Sequence, residues 1–363
     1  TLANATSPPP VVQLFISDYV YRVLVEFFSV LCSVVSFSGC LGNGIAVRTF
    51  VLMGLKDGVT VSFLFLTASD LAYLLVLFAH SISLGFFAVE RGSDFKTWFP
   101  VDPFGVYVFL SDTAMMLYLI TILTTTFLAV VRCMCVAMPL KFKTSFRRAT
   151  SLVILAAFVV VAVGSYTPVL VYMKMVTVFD VRVNATRSVL WISPKRDEVK
   201  DIVWITRDAF VTMATQFVII VCVLVMARSL RAASRFRHES VMHTGTKTKA
   251  KSVTNEQVYN KTNDRSRSGS KTNPNAMTRK EFAVVQQVVL ISVVYIVCNT
   301  PKITINMAAL FVPDFAIGKI YQNVYLTVLG AMELFQAINS GINVIIYYKY
   351  NTKFRKNCKL CGR

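Results

Sequence analysis

Four stretches of the chain, 27–47, 113–131, 149–173 and 209–227, contain no Asp, Glu, Lys or Arg. A bilayer's hydrocarbon core, about 30 Å thick, is crossed by roughly twenty apolar helical residues, so stretches of this length are suited to span it. Helices are the form they take, because in lipid every backbone N–H and C=O must be satisfied within the segment itself. Composition agrees: 55% of the 363 residues are hydrophobic and 16% charged, which argues against a soluble globular enzyme. The charges that remain are crowded, with thirteen Lys and Arg between residues 228 and 281. A net charge of +19 would fit nucleic-acid binding only on a solvent-exposed fold, and such folds have no use for long uncharged runs. Nucleic acid is set aside as a partner.

Seven segments are predicted to cross the membrane: 23–51, 60–89, 103–138, 149–173, 201–230, 279–312 and 319–348. Asp70, Lys302 and Glu333 interrupt the second, sixth and seventh, which remain apolar enough to span. With loops 48–58, 131–150 and 228–281 and tail 349–363 in the cytoplasm, that side holds twenty-six basic and five acidic residues, against nine basic and eight acidic in 1–22, 90–102, 174–200 and 313–318. The excess of Lys and Arg sets the amino terminus outside. The expected fold class is therefore an all-α membrane protein, a seven-transmembrane helix bundle with a short amphipathic C-terminal helix. Its expected organisation is an extracellular N-terminus (1–22), the bundle (23–348) with a disordered cytoplasmic loop (234–277), and a cytoplasmic tail (349–363).

The first 22 residues are Pro-rich and polar, without a signal-peptide pattern, so the first helix is expected to target the chain. Sequons at Asn4 and Asn184 fall outside and are candidate glycosylation sites, while Asn260 falls inside and should stay unmodified. No cysteine among Cys32, Cys40, Cys133, Cys135, Cys222, Cys298, Cys358 and Cys361 lies in an outer loop, so no extracellular disulfide is expected. Cys358 and Cys361 follow the last span in a basic tail, where they are either palmitoylation sites or free thiols. Loop 234–277 is rich in Ser, Thr, Lys and Asn; it reads as a solvated linker drawn to anionic lipids, and Arg265-Ser266-Arg267-Ser268 offers phosphate acceptors.

Polar groups at mid-bilayer cost several kcal/mol unless partnered, which makes each a functional candidate. Asp70 is the deepest, and Asn43, Thr121, Asn339, Ser340 and Asn343 lie at comparable depth if the helices run as assigned. Two readings stand: a cluster that holds water or a cation and rearranges, or a static network that fixes helix register.

Gly42-Asn43, Leu66 with Asp70, Arg132 followed by Pro139-Leu140, Cys298-x-x-Pro301 and Asn339-Ser340-x-x-Asn343-x-x-x-Tyr347 occur in order, each in the appropriate span. In this the chain resembles the rhodopsin-like G-protein-coupled receptors over residues 40–350. The resemblance implies a plasma-membrane receptor that is not an enzyme. It implies partners: an extracellular ligand, a heterotrimeric G protein, arrestin, a receptor kinase and membrane lipids. Asp70, Thr121, Asn339, Ser340 and Asn343, with Asn43 beside them, look like the family's sodium site, the sodium ion being allosteric and no other cofactor implied. Arg132 looks like the arginine that contacts the G protein, and Glu281 like the carboxylate that pairs with it in the inactive state. The alternative for that pair is two independent charges at helix ends. Tyr347, Tyr295 and Pro301 belong to the implied switch.

The departures are as specific as the matches. Val131 and Cys133 flank Arg132 where an acid and an aromatic are usual; Asn299 replaces the helix 6 Trp, and Val344 replaces the Pro after Asn343. Helix 4 has no Trp, helix 5 has no Pro, and Tyr107 stands where the helix 3 cysteine of the outer disulfide is usual. In general style the chain is similar to rapidly diverging invertebrate chemosensory receptors.

Ligands of the family enter the outer half of the bundle, where Lys302 and Glu333 are the conspicuous charges. Either they pair with each other across helices 6 and 7, or a charged or zwitterionic small molecule or peptide inserts between them. Asn306, Gln336, Tyr118 and His80 would then supply hydrogen bonds, although a lone His80 also reads as a satisfied interior histidine. Arg207 and Asp208 are expected to reach the headgroups. Ala114, where amine receptors carry Asp, and Ala337, where visual opsins carry the retinal Lys, argue against monoamines and covalent retinal. A transporter or channel is the alternative class, and the chain lacks the internal repeats and paired broken helices that class usually shows.

Overall fold

The computed structural model describes residues 15–55, 57–93, 97–137, 148–181, 184–250, 279–317 and 319–358, with backbone alone at 180, 232–250 and 279–281. Among them seven helices are long and apolar enough to cross a membrane. They are α1 (Asp18–Met53), α2 (Gly58–Gly92), α3 (Pro103–Ala137), α4 (Arg148–Val171), α5 (contiguous segments Lys195–Val203, Trp204–Val211 and Thr212–Ala250), α6 (Arg279–Phe311) and α7 (Gln322–Tyr350). A short α8 (Thr352–Asn357) follows, and strands β1 (Met173–Asp180) and β2 (Ala185–Ile192) lie between α4 and α5.

The ends have local causes. Ser17 caps α1 by accepting from the Val20 N–H, and Gly54, at φ +79°, stops it with a backbone conformation that other residues resist. Asn351 accepts from the Phe354 N–H at 3.0 Å, which ends α7 and starts α8 in a new direction. Asn323 of α7 donates to Asp18 Oδ1 at 2.8 Å and to the Ile16 carbonyl at 3.0 Å, pinning the entry of α1.

α3 threads the centre, touching α2, α4, α5 and α6, while α7 closes the ring against α1, α2 and α6. Outward residues such as Val153, Val160, Phe210, Phe217 and Ile345 are exposed and apolar, as a lipid-facing surface must be. Between helices in lipid there is little hydrophobic drive, so contact depends on close fit. Gly39 and Gly341 provide it between α1 and α7: a Cβ on Gly39 would sit 3.3 Å from Gly341 Cα and 2.8 Å from Leu74 Cδ1. Phe354 of α8 is fully buried beside Phe50 and Tyr347, anchoring α8 under the bundle.

One expectation is corrected: the disordered loop expected over 234–277 does not start at 234, because α5 is helical to Ala250. A helix already nucleated in the membrane adds residues without repeating the nucleation cost, and 234–250 contains no Pro to stop it; residues 251–278 lie outside those described. Between α4 and α5 the chain forms an antiparallel hairpin registered from Met173↔Ile192 to Asp180↔Ala185. Its β-branched runs, Val176-Thr177-Val178 above all, favour strand.

Candidate ligand cavity and intramembrane polar network

At mid-bundle, helices α1, α2, α3 and α7 bring together the cluster expected around Asp70. The carboxylate is fully buried, accepting from Thr121 Oγ1 at 3.0 Å on one oxygen and from Asn343 Nδ2 at 2.8 Å on the other. Asn43 donates to the Ser340 carbonyl at 2.9 Å and to its own helix at Gly39 at 3.0 Å. Asn339 and Ser340 are buried nearby, and Asn43 Oδ1 has no hydrogen-bond partner. The donor set is all oxygen and suits a hard cation.

Towards the α8 end, Arg132 is buried and lies 3.9 Å from Cys135 Sγ. The side chain of Glu281, its expected partner, falls outside the described residues, as do Asn4 and Cys361. Tyr347 is fully buried against Phe50 and Phe63, and Cys358 is half-buried at the end of α8. Beside Pro301 the Trp usual in the rhodopsin-like pattern is replaced by an amide network. Asn299 donates to the Tyr295 hydroxyl at 3.1 Å, and Gln216 of α5 donates to the Ile296 carbonyl at 3.2 Å. That carbonyl also accepts from Thr300 Oγ1 at 2.7 Å, so side chains stabilise the backbone at the proline.

Towards the hairpin end, α5 widens into a π-helical segment, Trp204–Val211. The wider turn places the consecutive residues Arg207, Asp208 and Ala209 all inward, where a regular α-helix would carry one of them towards lipid. This corrects two expectations. Arg207 and Asp208 do not reach the headgroups; both are buried, with Arg207 Nη2 at 2.6 Å from Asp208 Oδ2. Lys302 does not pair with Glu333; its Nζ lies 3.2 Å from Asp208 Oδ1, because the π segment delivers a carboxylate to α6 that a regular helix would have turned away. Asn306 completes the knot by donating to the Asp208 carbonyl at 2.6 Å. Arg207 also lies over the Tyr166 ring, 3.9 Å from its centroid, and the Tyr166 hydroxyl donates to Asp112 Oδ1 at 3.2 Å. Asp112 in turn holds Arg196, with Lys200 at 3.3 Å.

The hairpin is clasped by ion pairs. Arg187 of β2 reaches Glu90 Oε1 at 2.6 Å and Asp102 Oδ1 at 3.0 Å. Ser188 bridges backbone to Pro100 and Asp102, and Leu190 packs so close to Gly105 that a Cβ there would lie 2.7 Å from it. The seven described cysteines are free thiols, so in the described chain the hairpin is held by these ion pairs, backbone hydrogen bonds and close packing.

Beneath the hairpin lies a cavity of about 740 Å³, within the size range of small-molecule sites. Of the residues expected to meet a ligand, His80, Asn306 and Glu333 line it. Lys302, Tyr118 and Gln336 are fully buried and do not: Lys302 lies over the Tyr118 ring at 5.6 Å, and Gln336 accepts from the Tyr73 hydroxyl at 3.0 Å. His80 stacks on Tyr107, centroids 4.3 Å apart, and neither ring nitrogen has a hydrogen bond. It is thus an unsatisfied interior histidine, with Glu333 Oε1 at 3.9 Å from Nε2.

The family model described as serpentine type 7TM GPCR chemoreceptor Srx matches residues 34–256. The chain belongs to this family. No curated protein matches it. The match runs from α1 through α5 and beyond, so this Srx chemoreceptor carries Asn43, Asp70, Thr121 and Arg132 inside the matched stretch and Glu333 outside it. It is a multi-pass membrane protein from a family of receptors rather than enzymes. The sequence did not single out Asp112, Arg196, Arg187, Glu90, Tyr166 or Gln216, which the structure places at these contacts. Asp112 had a signal, since it abuts an uncharged run. The Arg187 clasp had none, because nothing in a sequence reports that two residues 97 positions apart meet.

Proposed function

We propose that this chemoreceptor binds an extracellular ligand in the cavity under the hairpin and activates a heterotrimeric G protein at the opposite, α8 end. The supporting observation is the cavity itself, walled by the polar pair His80 and Glu333 and continuous through buried side chains with the bundle interior. In this reading the hairpin end and the amino terminus face outward at the plasma membrane, an orientation that the excess of Lys and Arg in the other loops supports. Asn184, exposed at the hairpin turn, is then available to glycosylation. Ligand binding biases one of two bundle packings, and the G protein stabilises the same packing from the other side. Arg132 makes the G-protein contact, with Glu281 restraining it at rest, and arrestin and a receptor kinase use the same face. A sodium ion on Asp70, Asn43 and Ser340 favours the resting packing, and palmitoylation at Cys358 and Cys361 holds α8 to the membrane.

The test is nucleotide exchange on a panel of G proteins in membranes containing the receptor, wild type against Arg132→Ala. Exchange that rises with the wild type and collapses in the variant, at equal surface level, supports the reading. Equal exchange in both removes Arg132 from the coupling face.

A further inference from the structure

The charges around the cavity do not balance locally. Five carboxylates line it: Glu90, Asp102, Asp112, Asp208 and Glu333. Arg187 engages the first two, Arg196 and Lys200 engage Asp112, and Arg207 and Lys302 engage Asp208. Among the described residues Glu333 is the one of the five with neither a Lys nor an Arg within 4 Å and no hydrogen bond; its nearest partner is His80 at 3.9 Å. Its side chain keeps 18% of its surface open, whereas His80 keeps 2% and has both ring nitrogens unpartnered. A half-buried carboxylate with no strong partner, beside a buried and unsatisfied imidazole, is a costly arrangement for packing alone. Tyr107, Tyr21, Tyr325 and Phe28 line the same cavity, and aromatic rings attract cations at their faces.

We propose, building on the cavity as the ligand site, that it recognises a small organic cation with an apolar body, its N–H group bound to the Glu333 carboxylate beside His80. On the opposite wall Arg196 and Lys200 share Asp112, and Arg207 and Lys302 share Asp208, so each of those four cations already has a carboxylate within 4 Å. A carboxylate or phosphate ligand seated at Glu333 would meet like charge. This reverses the expectation drawn from Ala114, which bears only on a cation held from α3; here the carboxylate comes from α7.

The experiment needs no G protein, so its outcome is independent of coupling. Purified receptor in detergent is heated with a panel of aryl-alkyl and cycloalkyl amines, the N-acetyl amides of the same amines, and carboxylic acids of matching body. The expected result is a raised unfolding midpoint with some of the amines alone. Glu333→Gln should weaken those amines on the order of tenfold or more, the scale of one charge-assisted hydrogen bond, and Glu333→Asp should restore part of the effect. Folding of each variant is read from its midpoint without compound. Stabilisation by the amides or acids as strong as by the amines, by none of the panel, or by the amines undiminished in Glu333→Gln overturns the proposal.

Discussion

Asp208 and Glu333 are carboxylates on opposite walls of one cavity, and they are treated in opposite ways. Asp208 has two cations on its two oxygens and an amide on its own backbone carbonyl. Glu333 faces the same space with a histidine 3.9 Å away. A saturated buried charge is structural: removing it strands its partners, and nothing from outside improves it. An unsaturated one is a place where a ligand gains what the fold leaves undone.

The strongest way to break the comparison is Asp208→Ala, which leaves Arg207 and Lys302 buried and mutually repelling. A loss of about 3–5 kcal/mol is expected, seen as a large fall in the detergent unfolding midpoint and poor surface delivery. Adding Lys302→Met to it should recover part of that loss, and no recovery would show that the knot is not what holds α5 to α6.

Next is Arg187→Met, which leaves Glu90 and Asp102 without their shared cation. The expected cost is about 1–3 kcal/mol, concentrated in the hairpin, so backbone amide exchange across 173–192 should speed up while α3 stays protected. Uniform acceleration throughout the bundle would argue that the hairpin does not open separately from it.

Glu333→Gln sharpens the contrast from the other side. Because the carboxylate has no strong partner, stability should change by less than about 1 kcal/mol or rise, in direct opposition to Asp208→Ala. A loss comparable to that of Asp208→Ala would place Glu333 among the structural charges.

Smallest in stability is Asp70→Asn, which keeps the hydrogen-bonding shape with Thr121 and Asn343 while removing the charge. Basal nucleotide exchange in wild type should fall as sodium replaces potassium, and in the variant should not respond. A variant as sodium-sensitive as wild type would remove Asp70 from the cation site.

Most of the architecture was legible because one physical quantity, the cost of charge in hydrocarbon, is written along the chain. The seven helices lie where uncharged runs predicted them, with ends displaced by a few residues except in α5. The Asp70 cluster was legible for a similar reason: Asn43, Asp70, Thr121 and Asn343 are polar at one depth, and polar groups in lipid must meet. Depth, however, is one coordinate. Lys302 and Glu333 share it closely enough to invite pairing, and the structure pairs Lys302 with Asp208 instead. That choice depends on azimuth, and the azimuth of Asp208 is set by a π turn that no hydropathy profile reports.

The sequence by itself thus determined that this is a seven-helix membrane protein, where its polar groups lie in depth, and which side of it is basic, since these follow from solvation energies that each residue carries with it. Tertiary structure alone decided which buried charges are neutralised and which stay open. The π segment of α5, the Arg187 clasp on the hairpin and the gap between His80 and Glu333 are relations between distant residues, and their energies exist only once the helices have been rotated into contact.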